Sequence, residues 1–193
     1  MTTSESLHEM LRGVPMTAID SRPAFITWMK FSHGIMRASA PLLEIAAAKS
    51  DGALRDYYLE SLENERDHAD WLAVDLETLG EMPYVIDHAS AATAGAQYYY
   101  LQHVGPHALL GYIAALEFRP MPLEQIEALA KLYGEPALRT ARHHAEVDIE
   151  HAKRLAGVID LFEEQARIIV YSAALTARMI GFYLTERMRG AHG

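Results

Sequence analysis

The sequence predicts an all-α fold: one helical bundle of about seven helices, a single domain over residues 1–193. Three observations carry this. Apolar residues recur at helical spacing along almost the whole chain, and no segment alternates apolar and polar residues as a half-buried strand does. The interruptions fall at Pro, Gly and Ser-Asp positions, which stop helices. At 193 residues, 50% apolar and 22% charged, the chain suits one domain around one sizeable core.

The elements follow in order. Ser21 and Pro23 open a helix, FITWMKFSHGIMRAS, that Pro41 is expected to break. PLLEIAAAK makes a short second helix closed by Ser50-Asp51-Gly52. A long helix covers Ala53 to Leu79, with Gly80 as its C-terminal stop. EMPYVIDHAS is the clearest loop. Helices resume over Ala89 to Gln102 and Pro106 to Phe118, the latter ended by Arg119-Pro120. LEQIEALAKLY stops at Gly134; Glu135-Pro136 opens a long helix through Leu161, and the last runs from Glu163 to Arg189.

Composition narrows the function. The absence of cysteine excludes disulfides, thiolate zinc sites and iron–sulfur clusters. A net charge of −9 argues against nucleic acid or an anionic membrane as partner. The apolar run from Ala108 to Phe118 is too short to span a bilayer. MTTSESLHEM has neither the basic nor the apolar region of a signal peptide, so a cytoplasmic location is expected. The expected partner is a small-molecule substrate, and a homodimer is compatible with the sequence. Ten histidines make their placement the main question.

The strongest signal is RHHAEVDIEHA, which holds His144, Asp148 and His151. At 100° per residue the three fall within roughly 60° on one helix face. Two imidazoles and a carboxylate on one stripe suit a first-row transition metal, iron above all. The alternative is a solvated face that happens to carry them. Glu65 and His68 form an E-x-x-H pair, which alone carries nothing: Glu5/His8 has the same spacing, and Glu60, Glu63, Asp67 and Asp70 surround the first pair. Glu117 is the sole charge between Ala108 and Phe118. A carboxylate on so apolar a helix, near the C-terminus where the macrodipole disfavours an anion, requires a cation. Arg119 could supply it at the surface, or a metal inside. Together these residues offer three carboxylates and three imidazoles, a donor set for two irons. By position Glu117 would bridge ions about 3.5–4 Å apart. The last triplet alone could instead hold one iron.

Ferritin-like diiron proteins need a second Glu-x-x-His. Here Glu146 and Glu150 are followed three residues on by Ile149 and Lys153. In the order and separation of Glu65-x-x-His68, Glu117 and His144-x-x-x-Asp148-x-x-His151, the chain instead resembles the heme-oxygenase-like diiron oxidases and oxygenases. The similarity extends from about residue 20 to Arg189. It implies a seven-helix fold, two non-heme Fe bound by those six residues, and dioxygen as cosubstrate. It also implies oxidation of a small molecule, such as an amino acid or a fatty or other carboxylic acid, by oxidative cleavage, desaturation or N-oxygenation. Fold does not select among these.

Lys30 and Arg37, seven apart on the first helix, could face a substrate carboxylate or snorkel outward. Tyr57-Tyr58 and Tyr98-Tyr99-Tyr100 read as packing, and His33, His103 and His107 as core or supporting residues. Three rival functions remain: heme binding with His33 as axial ligand, a thiaminase-like or other small-molecule-binding module without a diiron site, and a non-catalytic interaction module that merely retains a metal site.

Overall fold

A computed structural model describes residues 1–14, 19–83 and 87–190. Tyr84–Ile86 of the expected loop lie outside the described residues. The chain is all-helical, with no strand among the described residues. Among the described residues there are nine α-helices: α1 (Thr3–Arg12), α2 (Arg22–Ala48), α3 (Gly52–Glu65), α4 (His68–Thr78), α5 (His88–His103), α6 (His107–Glu117), α7 (Leu123–Tyr133), α8 (Arg139–Asp160) and α9 (Ala166–Gly190). Short 3-10 turns, Glu135–Leu138 and Glu163–Gln165, precede α8 and α9.

Several ends form as the sequence predicts. The Ser21 hydroxyl accepts from the Ala24 N–H at the start of α2, with Pro23 in the first turn. Gly80, at φ 75°, ends α4: its N–H donates to the Glu77 carbonyl and that of Glu81 to Leu76.

Three elements differ from expectation. Helix α2 runs through Pro41 without ending. Proline costs one backbone hydrogen bond, but Phe31 and Ile35 before it and Leu42, Leu43 and Ala46 after it are all buried. Burial of both segments therefore holds the helix together. The expected 53–79 helix is two helices, broken at Arg66-Asp67 between Glu65 and His68. Helix α1 was not anticipated, although Thr-x-x-Glu announces it: Thr2 and Glu5 form a reciprocal capping box. Its position is tertiary. The N–H and hydroxyl groups of Ser4 and Thr3 donate to Asp160 and Glu163, respectively, at 2.8–3.2 Å. Arg119 donates to the carbonyls of Leu11 and Val14 at the other end. Anions at the N-terminus and a cation at the C-terminus match the helix dipole.

Helices α6 and α9 pack closely, because Gly111 lets the α9 backbone at Ile169 and Ala173 approach. By length and composition the stretch Glu163–Glu186 could cross a bilayer, and it is a longer apolar stretch than Ala108–Phe118. Its Ile169, Ala173, Ala177 and Leu184 are nevertheless buried in the bundle core. A smaller core joins Phe25 and Met29 of α2 to Leu72 and Leu76 of α4, Ile126 and Leu129 of α7 and Ala145 of α8.

Candidate metal centre

The three sequence signals converge. Glu65 is the last residue of α3, His68 the first of α4, Glu117 the last of α6; His144, Asp148 and His151 lie along α8. One donor atom each from Glu65, His68 and His144 lie within 4.8 Å of one another, as do donors from Glu65, Glu117 and His151. Glu65 belongs to both groups, so the shared carboxylate by geometry is Glu65. The sequence position of Glu117 suggested that residue instead; only the α3–α4 break, invisible to a uniform helical reading, aims Glu65 between the two groups.

Asp148, only 7% exposed, enters neither group. Its Oδ1 lies 3.2 Å from Nδ1 of His144 and 3.9 Å from Nδ1 of His151. With the carboxylate ionised, Nδ1–H of His144 donates to it and Nε2 is left as the lone-pair donor. That Nε2 is buried without a hydrogen-bond partner, and so are Nδ1 of His68 and Oε2 of Glu117. Nδ1 of His68 comes within 3.2 Å of Oε2 of Glu65, an ion-pair approach outside hydrogen-bonding angles. Buried polar atoms without partners are uncommon, and three of them on converging side chains fit a cation. The donor set, carboxylate oxygen and imidazole nitrogen without sulfur, suits iron.

The electrostatics agree. Burial, then the Asp148 and Glu65 carboxylates, hold the Glu117 carboxyl well above the usual glutamate range. Arg119, its alternative surface cation, is turned toward the end of α1. Burial also raises Glu65, but His68, His144 and His151 together outweigh it and hold its carboxyl below the usual value. Burial disfavours the His144 imidazolium, yet Asp148 and Glu65 carry it above the usual range.

The sequence did not single out His143 or Trp71. The His68 ring lies 4.8 Å from Trp71, 5.1 Å from His143 and 4.6 Å from His144, centre to centre, and is 2% exposed. Arg139 sits over the other ring of this wall, 4.9 Å from the Trp71 centroid. His143 sits one residue, hence about 100°, around α8 from His144, which carries it to α4. The doubled histidine in RHH was the available signal.

A chamber of about 310 Å³ opens onto the centre. Glu65, Glu117, His144 and Asp148 form one end, and Trp28, Phe31, Ile35, Leu42, Leu109, Ile113, Leu116 and Ile180 line the rest. A polar cavity of about 30 Å³ lies behind Glu65, Glu117 and His151, walled by Tyr57, Ser61, Asn64 and the Glu60–Arg154 ion pair.

Lys30 and Arg37 do not line the chamber. They lie roughly 180° around α2 from its Trp28–Ile35–Ser39 stripe. Lys30 pairs with Glu81 at 2.7 Å and Arg37 is exposed, so of the two readings the outward one fits, and neither residue is placed to meet a substrate carboxylate in the chamber. Tyr58 is core, donating to the Pro106 carbonyl at 2.8 Å, while Tyr98 and Tyr99 are exposed. His33 is buried away from the chamber, His103 rests on Tyr99, and His107 meets Phe162 edge-on.

No family model matches the chain, and no curated protein matches it. Solved structures do resemble it, two of them as follows. One is a domain of unknown function with a heme oxygenase-like fold from Shewanella denitrificans OS217: TM-score 0.70, 12% identity, covering 98% of this chain and 85% of that one. The other is a TenA homolog from Pseudomonas syringae pv. tomato str. DC3000: TM-score 0.69, 10% identity, covering 97% and 86%. At these identities the likeness shows the fold alone: the chain has a heme-oxygenase-like fold.

Proposed function

We propose that the cluster holds two iron ions and that the protein is a non-heme diiron oxidase or oxygenase using dioxygen on a small molecule. The observation that carries this reading is the membership of Glu65 in both three-donor groups, with buried, unpartnered donor atoms on His68, Glu117 and His144. When bound, two irons supply the activation of dioxygen for oxidation. Each residue then has a task. Glu65 joins the two halves; His68 and His144 complete one, Glu117 and His151 the other. Asp148 keeps the proton on Nδ1 of His144 and so presents Nε2. The apolar chamber places the substrate against the Glu65–Glu117 end and keeps bulk water from it. The reading includes a cytoplasmic location, with neither nucleic acid nor membrane as partner.

The test is anaerobic Fe(II) titration, followed by exposure to oxygen under absorption and Mössbauer spectroscopy. Uptake of about two Fe(II) per chain and consumption of oxygen are expected. Uptake of about one sinks the diiron assignment. The likeness to a TenA homolog favours a second reading, a small-molecule-binding protein whose chamber works without metal. A folded chain that takes up no iron selects it. Heme ligation by His33 has no support from the chamber, which His33 does not line.

A further inference from the structure

We infer that metal reaches the centre through the seam between α3 and α8, by a polar port that the Glu60–Arg154 ion pair closes. This rests on the proposed metal centre and names how it is filled. Two cavities reach Glu65 and Glu117. The chamber is walled mainly by hydrocarbon, and a divalent ion crossing it would shed water with little to replace it. The cavity of about 30 Å³ is polar instead, with Glu60, Ser61 and Asn64 of α3 and His151 and Arg154 of α8 in its wall.

That volume is space for roughly two water molecules, so an ion enters it partly stripped of its shell. Oxygen atoms of Glu60, Ser61 and Asn64 replace the lost water, and Glu65, Glu117 and His151 stand at the inner end. His151 is 27% exposed against 3% for His68, so the centre opens to solvent on this side.

The ion pair is the gate. Glu60 and Arg154 are 48% and 45% exposed and join α3 to α8 across the mouth. An exposed pair favours its closed form by no more than about fivefold, so it opens without unfolding either helix. Closed, it sets the Arg154 cation in the path of an incoming metal ion. Open, it leaves the Glu60 carboxylate to take up that ion.

Stopped-flow mixing of the metal-free full chain with Co(II), followed by the ligand-field absorption of the bound ion, tests this. Arg154→Gln should speed uptake by about threefold or more, and Glu60→Gln should slow it by a similar factor. Lys153→Gln is the control. It makes the same change of charge, but on an exposed side chain paired with Glu150, about 100° around α8, and should leave the rate nearly unchanged. Asn64→Trp fills the mouth, so it should slow uptake and chelator-driven release alike and leave affinity unaltered, the signature of a route rather than of a ligand. Gly181→Leu narrows the chamber, where nothing lies within 4 Å of the added Cβ, and should alter neither rate. Equal acceleration by Lys153→Gln and Arg154→Gln overturns the inference, and so does uptake slowed by Gly181→Leu but not by Asn64→Trp. If Asn64→Trp or Gly181→Leu fails to fold, the three charge variants still decide. Co(II) uptake at one rate in every variant would sink the port and leave the metal centre standing; a folded chain that takes up no Co(II) would sink both.

Discussion

Oδ2 of Asp75 accepts a hydrogen bond from the backbone N–H of Thr140 at 2.8 Å, so a side chain of α4 caps the first turn of α8. The residue is 1% exposed, and burial holds its carboxyl above the usual range although Thr140 and Arg139 act against this. The bond joins the helix carrying His68 to the helix carrying His144. Asp75→Ala should cost about 1–2 kcal/mol of stability, as loss of an N-cap does, and weaken metal binding. Asp75→Asn keeps an acceptor and should recover most of both. Thermal unfolding and metal titration of the two variants check this; equal losses in Ala and Asn would refute a capping role.

Glu65 separates the two-metal reading from a one-metal reading. Under the proposed assignment Glu65→Ala should empty both positions, since its carboxylate is common to both donor groups. His68→Ala should spare the Glu65–Glu117–His151 position, and His151→Ala the Glu65–His68–His144 position. Iron per chain, measured by elemental analysis, should thus fall to near zero in the first variant and to about half in the other two. Unchanged iron in Glu65→Ala would show that the carboxylate joins nothing.

Glu117 makes the metal-free protein sensitive to pH. Its folded-state value is raised, so the folded chain binds an extra proton from the ordinary 4.5 upward, and stability falls as pH rises through that window. His144, raised above the ordinary 6.5, adds a loss of the same sign at higher pH, so the comparison must be with Glu117→Gln. The Gln variant should melt higher than wild type at pH 7 without metal, with the gap closing toward pH 5. Loaded with metal, the order should reverse. A wild-type chain more stable than Glu117→Gln at pH 7 without metal would contradict this.

Gly111 and Gly181 should respond oppositely to alanine. A Cβ at Gly111 would stand 2.0 Å from the Ile169 carbonyl oxygen and 2.9 Å from the Ala173 nitrogen, backbone atoms that cannot turn aside. Separating α6 from α9 should cost roughly 1–3 kcal/mol, more than the helix propensity gained. Gly181→Ala meets open space and should stabilise by up to about 1 kcal/mol. Melting temperatures on opposite sides of wild type are the expected result.

Much was legible before any tertiary contact was known, because the signals are local. Helical periodicity sets the all-α class, Ser21 and Gly80 mark real ends, and the spacing of His144, Asp148 and His151 puts them on one face whatever surrounds α8. What misled the linear reading was nonlocal. Pro41 is tolerated because the helix on both sides of it is buried, and which way Lys30 and Arg37 face is decided only by the rotation of α2.

The sequence by itself determined the chemistry on offer: oxygen and nitrogen donors on helices, no sulfur from cysteine, and a carboxylate at Glu117 in need of a cation. Tertiary structure alone decided which donors meet. The break after Glu65 places its carboxylate in both groups, the fold brings His143 and Trp71 onto His68, and Arg119 is drawn to α1 and away from Glu117. The reason is geometric. Spacing along a helix specifies direction around one axis, whereas a centre built from α3, α4, α6 and α8 depends on how four axes are rotated and displaced against one another, and that is set by the packing of the whole core.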